Sequence, residues 1–254
     1  MDDLPLRLDD LAEHTLTFGI DVHPPIEIHN ERIRLNMFYE EAHARWPGLY
    51  EKLETSDKEF RISRTFHRGP HGGPGPGIPV LTFVLTNRGP VFVYPLLLPP
   101  SIEATELAET KCVEQFLETF ELLRAALPNQ KIMRLGMIRH VVFNTGRAHT
   151  REFLTSQTEF GKAELVGGNL VLQHRDEMCN VRIQLEPVRL QKITQLAVGK
   201  TVSEHGDYGL AVTLDVNNKE IRELDTADIR MISERATSLW PNPLLEYLKD
   251  RSLS

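Results

Sequence analysis

KIMRLGMIRHVVFNT, residues 131–145, constrains the fold more than any other stretch. Its apolar residues fall on both sides of a two-residue period, so an extended chain here needs cover on much of both faces. That places a long strand in the interior of a sheet, and the rest of the chain must supply its neighbours. One side chain conflicts with this reading. Arg139 interrupts the face carrying Met133, Leu135, Met137, Val141 and Phe143. A buried guanidinium is costly unless paired. Three arrangements would relieve it: a bulge or strand end that turns it to water, a salt bridge to a carboxylate, or a bound anion. His140, on the opposite face of the same strand, poses the same choice.

Other stretches carry the strand period. HTLTFGID (14–21) alternates Leu16, Phe18 and Ile20, and EFRISRTF (59–66) carries Phe60, Ile62 and Phe66 on one face, with Arg64 among them. VLTFVLTN (80–87) and VFVYPLLL (91–98) flank turn chemistry at Asn87 to Pro90 and predict a hairpin. Residues 162–190 read as a meander turning at Gly167-Gly168 and near Asp176, followed by a strand at 208–217.

Helical spacing appears in three places. Residues 29–54 have Asn30 as a cap, an apolar side of Ile33, Met37, Phe38, Ala42 and Trp46, and an interruption at Pro47-Gly48. Residues 104–127 carry Leu107, Cys112, Phe116, Phe120, Leu123 and Leu127 on one stripe, and Pro128 stops them. The Glu-rich surface over 103–121 reads as solvated. Residues 225–251 start at an Asp225 cap, break at Pro241 and restart at Asn242-Pro243. These elements predict an α+β fold, with antiparallel or mixed sheets packed by long amphipathic helices.

Trp46-Pro47 and Trp240-Pro241 close two similar helical stretches, 40–53 and 233–248. They read either as a trace of two pseudo-repeated α+β halves, 1–148 and 149–254, or as two unrelated helices with the same kind of stop. One compact domain is equally compatible with the length.

Charge and cysteine content exclude several functions. A formal net charge of −7 disfavours a protein whose main task is gripping phosphate backbones, so nucleic acid is not an expected partner. The two cysteines, Cys112 and Cys179, make neither a disulfide framework nor a thiolate zinc site, and read as free thiols in a reducing compartment. The acidic start MDDLPLRLDD is unlike a signal peptide, and the greasy run 91–100 is broken by Pro95 and too short to cross a bilayer. These features predict a cytoplasmic protein without a membrane segment. AVGKT (197–201) ends like a phosphate-binding loop, but Thr194 stands where that loop needs glycine. No dinucleotide fingerprint, nucleophile elbow or zinc-protease motif is present, so no catalytic residue, metal or cofactor is assigned.

The remaining candidate is the Gly/Pro-rich stretch FHRGPHGGPGPGIPV (66–80). Loops of this length are often functional, and here a pocket would be lined by Arg64, His67, His71, Arg139 and His140. His67 and His71 would face one metal on a helix, which glycine and proline forbid here. A loop could still bring them together with a third ligand from elsewhere, but they read first as solvated loop histidines.

HPPIEI (23–28), IRHVVFN (138–144) and the C-terminal strand followed by an amphipathic helix together make the chain similar to a sporadically distributed family of uncharacterised bacterial proteins of about 250 residues. The resemblance implies fold and bacterial origin and brings no catalytic residues. The leading expectation is a non-enzymatic interaction protein, a regulatory subunit of a bacterial complex or a homo-oligomer. The alternative is a small-molecule or anion-binding protein or enzyme, with its pocket under the 66–80 loop.

Overall fold

The computed structural model describes residues 11–47, 49–67, 77–96, 102–146, 170–175, 179–196 and 200–250. Nine strands make a single antiparallel sheet: β1 (Leu11–His23), β2 (Lys52–Thr55), β3 (Phe60–His67), β4 (Gly77–Thr86), β5 (Gly89–Pro95), β6 (Lys131–Asn144), β7 (Leu170–Arg175), β8 (Cys179–Leu196) and β9 (Lys200–Asn218). Among the described residues four helices accompany them: α1 (Ile28–Arg45), α2 (Ile102–Ala126), α3 (Thr226–Ser238) and α4 (Asn242–Asp250). The chain mixes helix and strand, but the expectation of several sheets packed by long helices is wrong. One large sheet dominates, and the helices are subordinate to it. Periodicity reports that a segment is extended; it does not report how many sheets the strands share.

Spatial order across the sheet is β2-β3-β4-β5-β1-β6-β9-β8-β7. The long strand at 131–144 sits inside the sheet, between β1 and β9, but its second face is only half-buried at Gly136, Ile138 and His140. Outward from β1 the sheet adds β5, β4, β3 and β2; outward from β6 it adds β9, β8 and β7. The sheet therefore runs without a break across the boundary between residues 148 and 149. The two Trp-Pro helices do not occupy matching places in this order. α1, ending before Trp46, follows the first strand, whereas α3, ending before Trp240, follows the last.

The alternation along β1 is strict. His14, Leu16, Phe18 and Ile20 are buried, while Thr15, Thr17, Gly19 and Asp21 between them are half-buried. Their partners in register, Tyr94 and Phe92 on β5 and Val141, Arg139, Met137 and Leu135 on β6, continue the buried face. α2 lies across its middle. Phe116 stacks on Phe18 with ring centroids 4.1 Å apart and meets Phe92 edge-on at 5.2 Å. α1 covers β3 and β4 through Phe38, which contacts Phe60 and Phe83. α3 adds Ile229, Ile232 and Ala236, and Leu244 of α4 joins the same core.

Two helix starts are informative. Asp225 caps α3 as expected: its carboxylate accepts from the Asp228 N–H at 2.8 Å, and Asp228 accepts in return from the Asp225 N–H at 3.1 Å. That reciprocal box satisfies two of the amides a helix start leaves open. α1 begins earlier than Asn30, and only part of the expected apolar side turns inward. Leu35, Phe38 and Ala42 are buried, while Ile33 and Met37 are 78% and 64% exposed. β4 begins at Gly77, inside the Gly/Pro-rich stretch, leaving residues 68–76 outside the described residues. The meander expected from residue 162 is described from Leu170 onward, and β9 extends back to Lys200, the lysine of the AVGKT stretch.

Candidate functional site

The strongest concentration of chemistry in the core is an ionic cluster around Arg139. β6 places the guanidinium on the helix-covered face, where α2 supplies Glu109, β1 supplies His14, and the α3–α4 junction supplies Trp240. Arg139 Nε donates to Glu109 Oε1 at 2.9 Å, and Nη2 donates to Oε2, so the pair is bidentate. Nη1 donates to the Ala236 carbonyl at 3.2 Å. The guanidinium carbon lies 5.3 Å from the Trp240 ring centroid, within cation–π range. His14 Nε2 is 2.9 Å from Glu109 Oε1, and its ring is 5.5 Å from that of Trp240. Glu109 and Arg139 side chains are each 1% exposed. Of the three arrangements open to Arg139, the structure adopts the salt bridge.

Charge within the cluster balances. Burial alone would raise the Glu109 carboxyl, but the charge of Arg139, the nearby His14 ring and the hydrogen bonds from Arg139 outweigh it and hold the group below the usual carboxylate range. Burial lowers His14, and this outweighs the stabilising pull of Glu109, so the neutral imidazole is favoured. Nε2 of the neutral ring comes close to Glu109 without a well-formed hydrogen bond, and Nδ1 also has no partner among the described residues. Cys112, one turn along α2 from Glu109, is pushed up to about 12 by burial and by the Glu109 charge, which keeps its thiol protonated and unreactive. A carboxylate with both oxygens engaged, a neutral histidine and an inert thiol make a brace between β1, β6, α2 and α3.

His14 gives this brace a defined pH dependence. Unfolded histidine titrates near 6.5, and the folded group lies lower, so between the two values the unfolded chain binds the extra proton. The stability penalty is absent above about pH 6.5 and grows as the pH falls below it. Thermal melts of the His14→Gln variant should show a smaller drop in Tm from pH 7.5 to 5.5 than the parent. Parallel curves for the two proteins would contradict a neutral His14.

The five residues read from the sequence do not come together as far as their side chains are described. Arg139 and His140 are neighbours on β6 and face opposite sides of the sheet; His140 Nδ1 lies 3.0 Å from Thr213 Oγ1 on the other face. Arg64 is one-third exposed and pairs with Glu51 at 3.6 Å. β3 and β6 are four places apart in the sheet, roughly 19 Å at the usual strand spacing. Arg64 and Arg139 therefore cannot reach one small ligand together. His67 ends β3, its side chain lies outside the described residues, and so does His71. Among the described residues no three His, Cys, Asp or Glu side chains are grouped as metal ligands, and no helix is long and apolar enough to cross a membrane.

Sequence reasoning missed two members of the cluster. His14 falls in the same period as Leu16, Phe18 and Ile20, which was signal enough to place it inside. Glu109 was assigned to a solvated face, yet it lies three residues before Cys112 and seven before Phe116, on the buried stripe of α2. Compared with models of known protein families and with curated proteins, the chain matches none.

Proposed function

We propose that this chain is a non-enzymatic interaction protein whose docking surface is the sheet face opposite the helices. One observation carries the reading: at the centre of that face the residues are only half-buried, where their neighbours on the helix-covered face are buried. Gly19 and Gly136 stand opposite each other on β1 and β6, flanked by Val91, Val93, Thr17 and Ile138. A Cβ placed on Gly19 would meet nothing within 4 Å. Glycine in a central strand weakens it and often marks where another backbone comes close. Farther along, Val142 and Ala211 on the same face are buried, whereas Val171 on β7 and Arg182 and Glu186 on β8 are exposed. The cluster on the covered face, with its charges mutually satisfied, supports a structural reading over a catalytic one.

Gly19→Arg tests this without threatening the fold, because the site has room and glycine gains nothing there from its freedom. Native mass spectrometry of the tagged full chain, recovered from cells that make it, should find an assembly, either with a partner or with a second copy. The variant should retain its Tm and lose that assembly. A parent chain that is monomeric and partnerless, or an assembly indifferent to Gly19→Arg, would overturn the proposal.

A further inference from the structure

The helical side carries a second, chemically different surface, and it does not depend on the open-face reading. α1 runs beside the C-terminal half of α2, and between them lies a groove of about 350 Å3 lined by Arg34, Met37, Phe38, Glu41, Leu122 and Ala125, among others. That volume falls in the range of ligand clefts. Ile33 and Met37, one helical turn apart on α1, are 78% and 64% exposed and continue the apolar floor onto the surface. Single exposed apolar residues need no explanation, but here two stand in line and join a groove.

The charges around the groove are unbalanced. Arg34 is held by Glu31 at 2.9 Å, so the cation in the lining is already spent. Arg45, farther along α1, lies over the Trp46 ring, 5.4 Å from its centroid. Glu121 and Arg124 pair with each other and with Thr226, on the side of α2 that faces α3. Glu41, one turn beyond Met37, and Glu118, one turn before Leu122, have no ion-pair partner among the described residues, and both are exposed. An apolar floor with one unpaired carboxylate in its lining, and a second one turn along α2 from Leu122, selects a cationic segment with apolar residues at helical spacing. It disfavours a second copy of this chain, whose own net charge is −7.

We propose that the α1–α2 groove docks a basic amphipathic helix of a protein partner, with its apolar side chains against Met37 and Leu122 and its Lys or Arg side chains against Glu41 and Glu118. The test uses two fluorescein-labelled peptides with leucine at the same helical spacing, one with lysine and one with glutamate elsewhere. Anisotropy titrations on the full chain should show the lysine peptide binding at least about tenfold more tightly, a difference near 1.4 kcal/mol. Raising the salt should weaken it. The exposed substitution Met37→Asp should reduce its binding about tenfold, and Glu41→Lys/Glu118→Lys should abolish the preference for lysine. Glu186→Lys/Glu220→Lys, with the same change in net charge on exposed positions elsewhere, should leave the preference in place. Failure of both peptides to bind would overturn the proposal. Equal loss of preference in the two charge-swapped variants, or a dimer in light scattering that Met37→Asp dissolves, would do so as well.

Discussion

Arg139→Met should lower the unfolding free energy by about 3–5 kcal/mol, because it strands the Glu109 carboxylate in the core with no compensating charge. Glu109→Met should cost a similar amount by stranding the guanidinium. The double variant should cost much less than the two singles added together, since apolar groups of similar volume can replace a buried ion pair at little net loss. Urea unfolding followed by tryptophan fluorescence suits the measurement, because Trp240 lies directly over the Arg139 guanidinium. Burial decides the size of this effect. Lys131 and Glu223, joined by a single 2.8 Å contact and each 60% exposed, are the surface comparison, and exposed pairs of this kind contribute about 0–1 kcal/mol. If Arg139→Met costs no more than such a surface pair, the cluster is not a brace.

The cluster also marks how far the sequence is legible. The two-residue period put Arg139 on an apolar face and left three ways to relieve it: water, a carboxylate or an anion. Which of these it takes, and through which residue, could not be read there, because Glu109 is 30 positions away and meets Arg139 only after α2 lies across the sheet. Local pairings could be read: Asn87 to Pro90 announce the β4–β5 hairpin, and Asp225 announces α3. The β1–β6 and β1–β5 pairings could not, since nothing in an alternating pattern names the strand on the other side. The groove was hidden for a related reason. Ile33, Met37, Phe38 and Ala42 share one apolar side by spacing, and only the packing of Phe38 against β3 and β4 sets how α1 is turned. That turn buries Leu35 with Phe38 and Ala42 and leaves Ile33 and Met37 exposed.

Gly89→Ala should be the most damaging glycine-to-alanine change among the described residues. Gly89 opens β5 directly after the Asn87-Arg88 turn, with φ at +144°, a backbone region that side chains with a Cβ rarely adopt. Its position against β1 matters as much as its φ. A Cβ there would stand 2.0 Å from the Ile20 carbonyl oxygen and 3.0 Å from its carbon, both backbone atoms that cannot swing away. The same turn holds the end of β1 and the approach to α1. The Val22 N–H donates to the Arg88 carbonyl at 2.8 Å, and the Ile26 N–H donates to the Asn87 carbonyl at 2.8 Å. Strain at φ alone costs about 1–3 kcal/mol, and displacing β5 from β1 adds to it, so a total loss of about 3 kcal/mol or more is expected. Gly19→Ala is the matched control, because the added methyl meets nothing and the strand gains from losing a glycine, by up to about 1 kcal/mol. Hydrogen exchange should show the Val22 and Ile26 amides opening faster in Gly89→Ala and unchanged in Gly19→Ala. Should the two variants prove equally stable, the close approach of β5 to Ile20 is not what fixes the hairpin against β1.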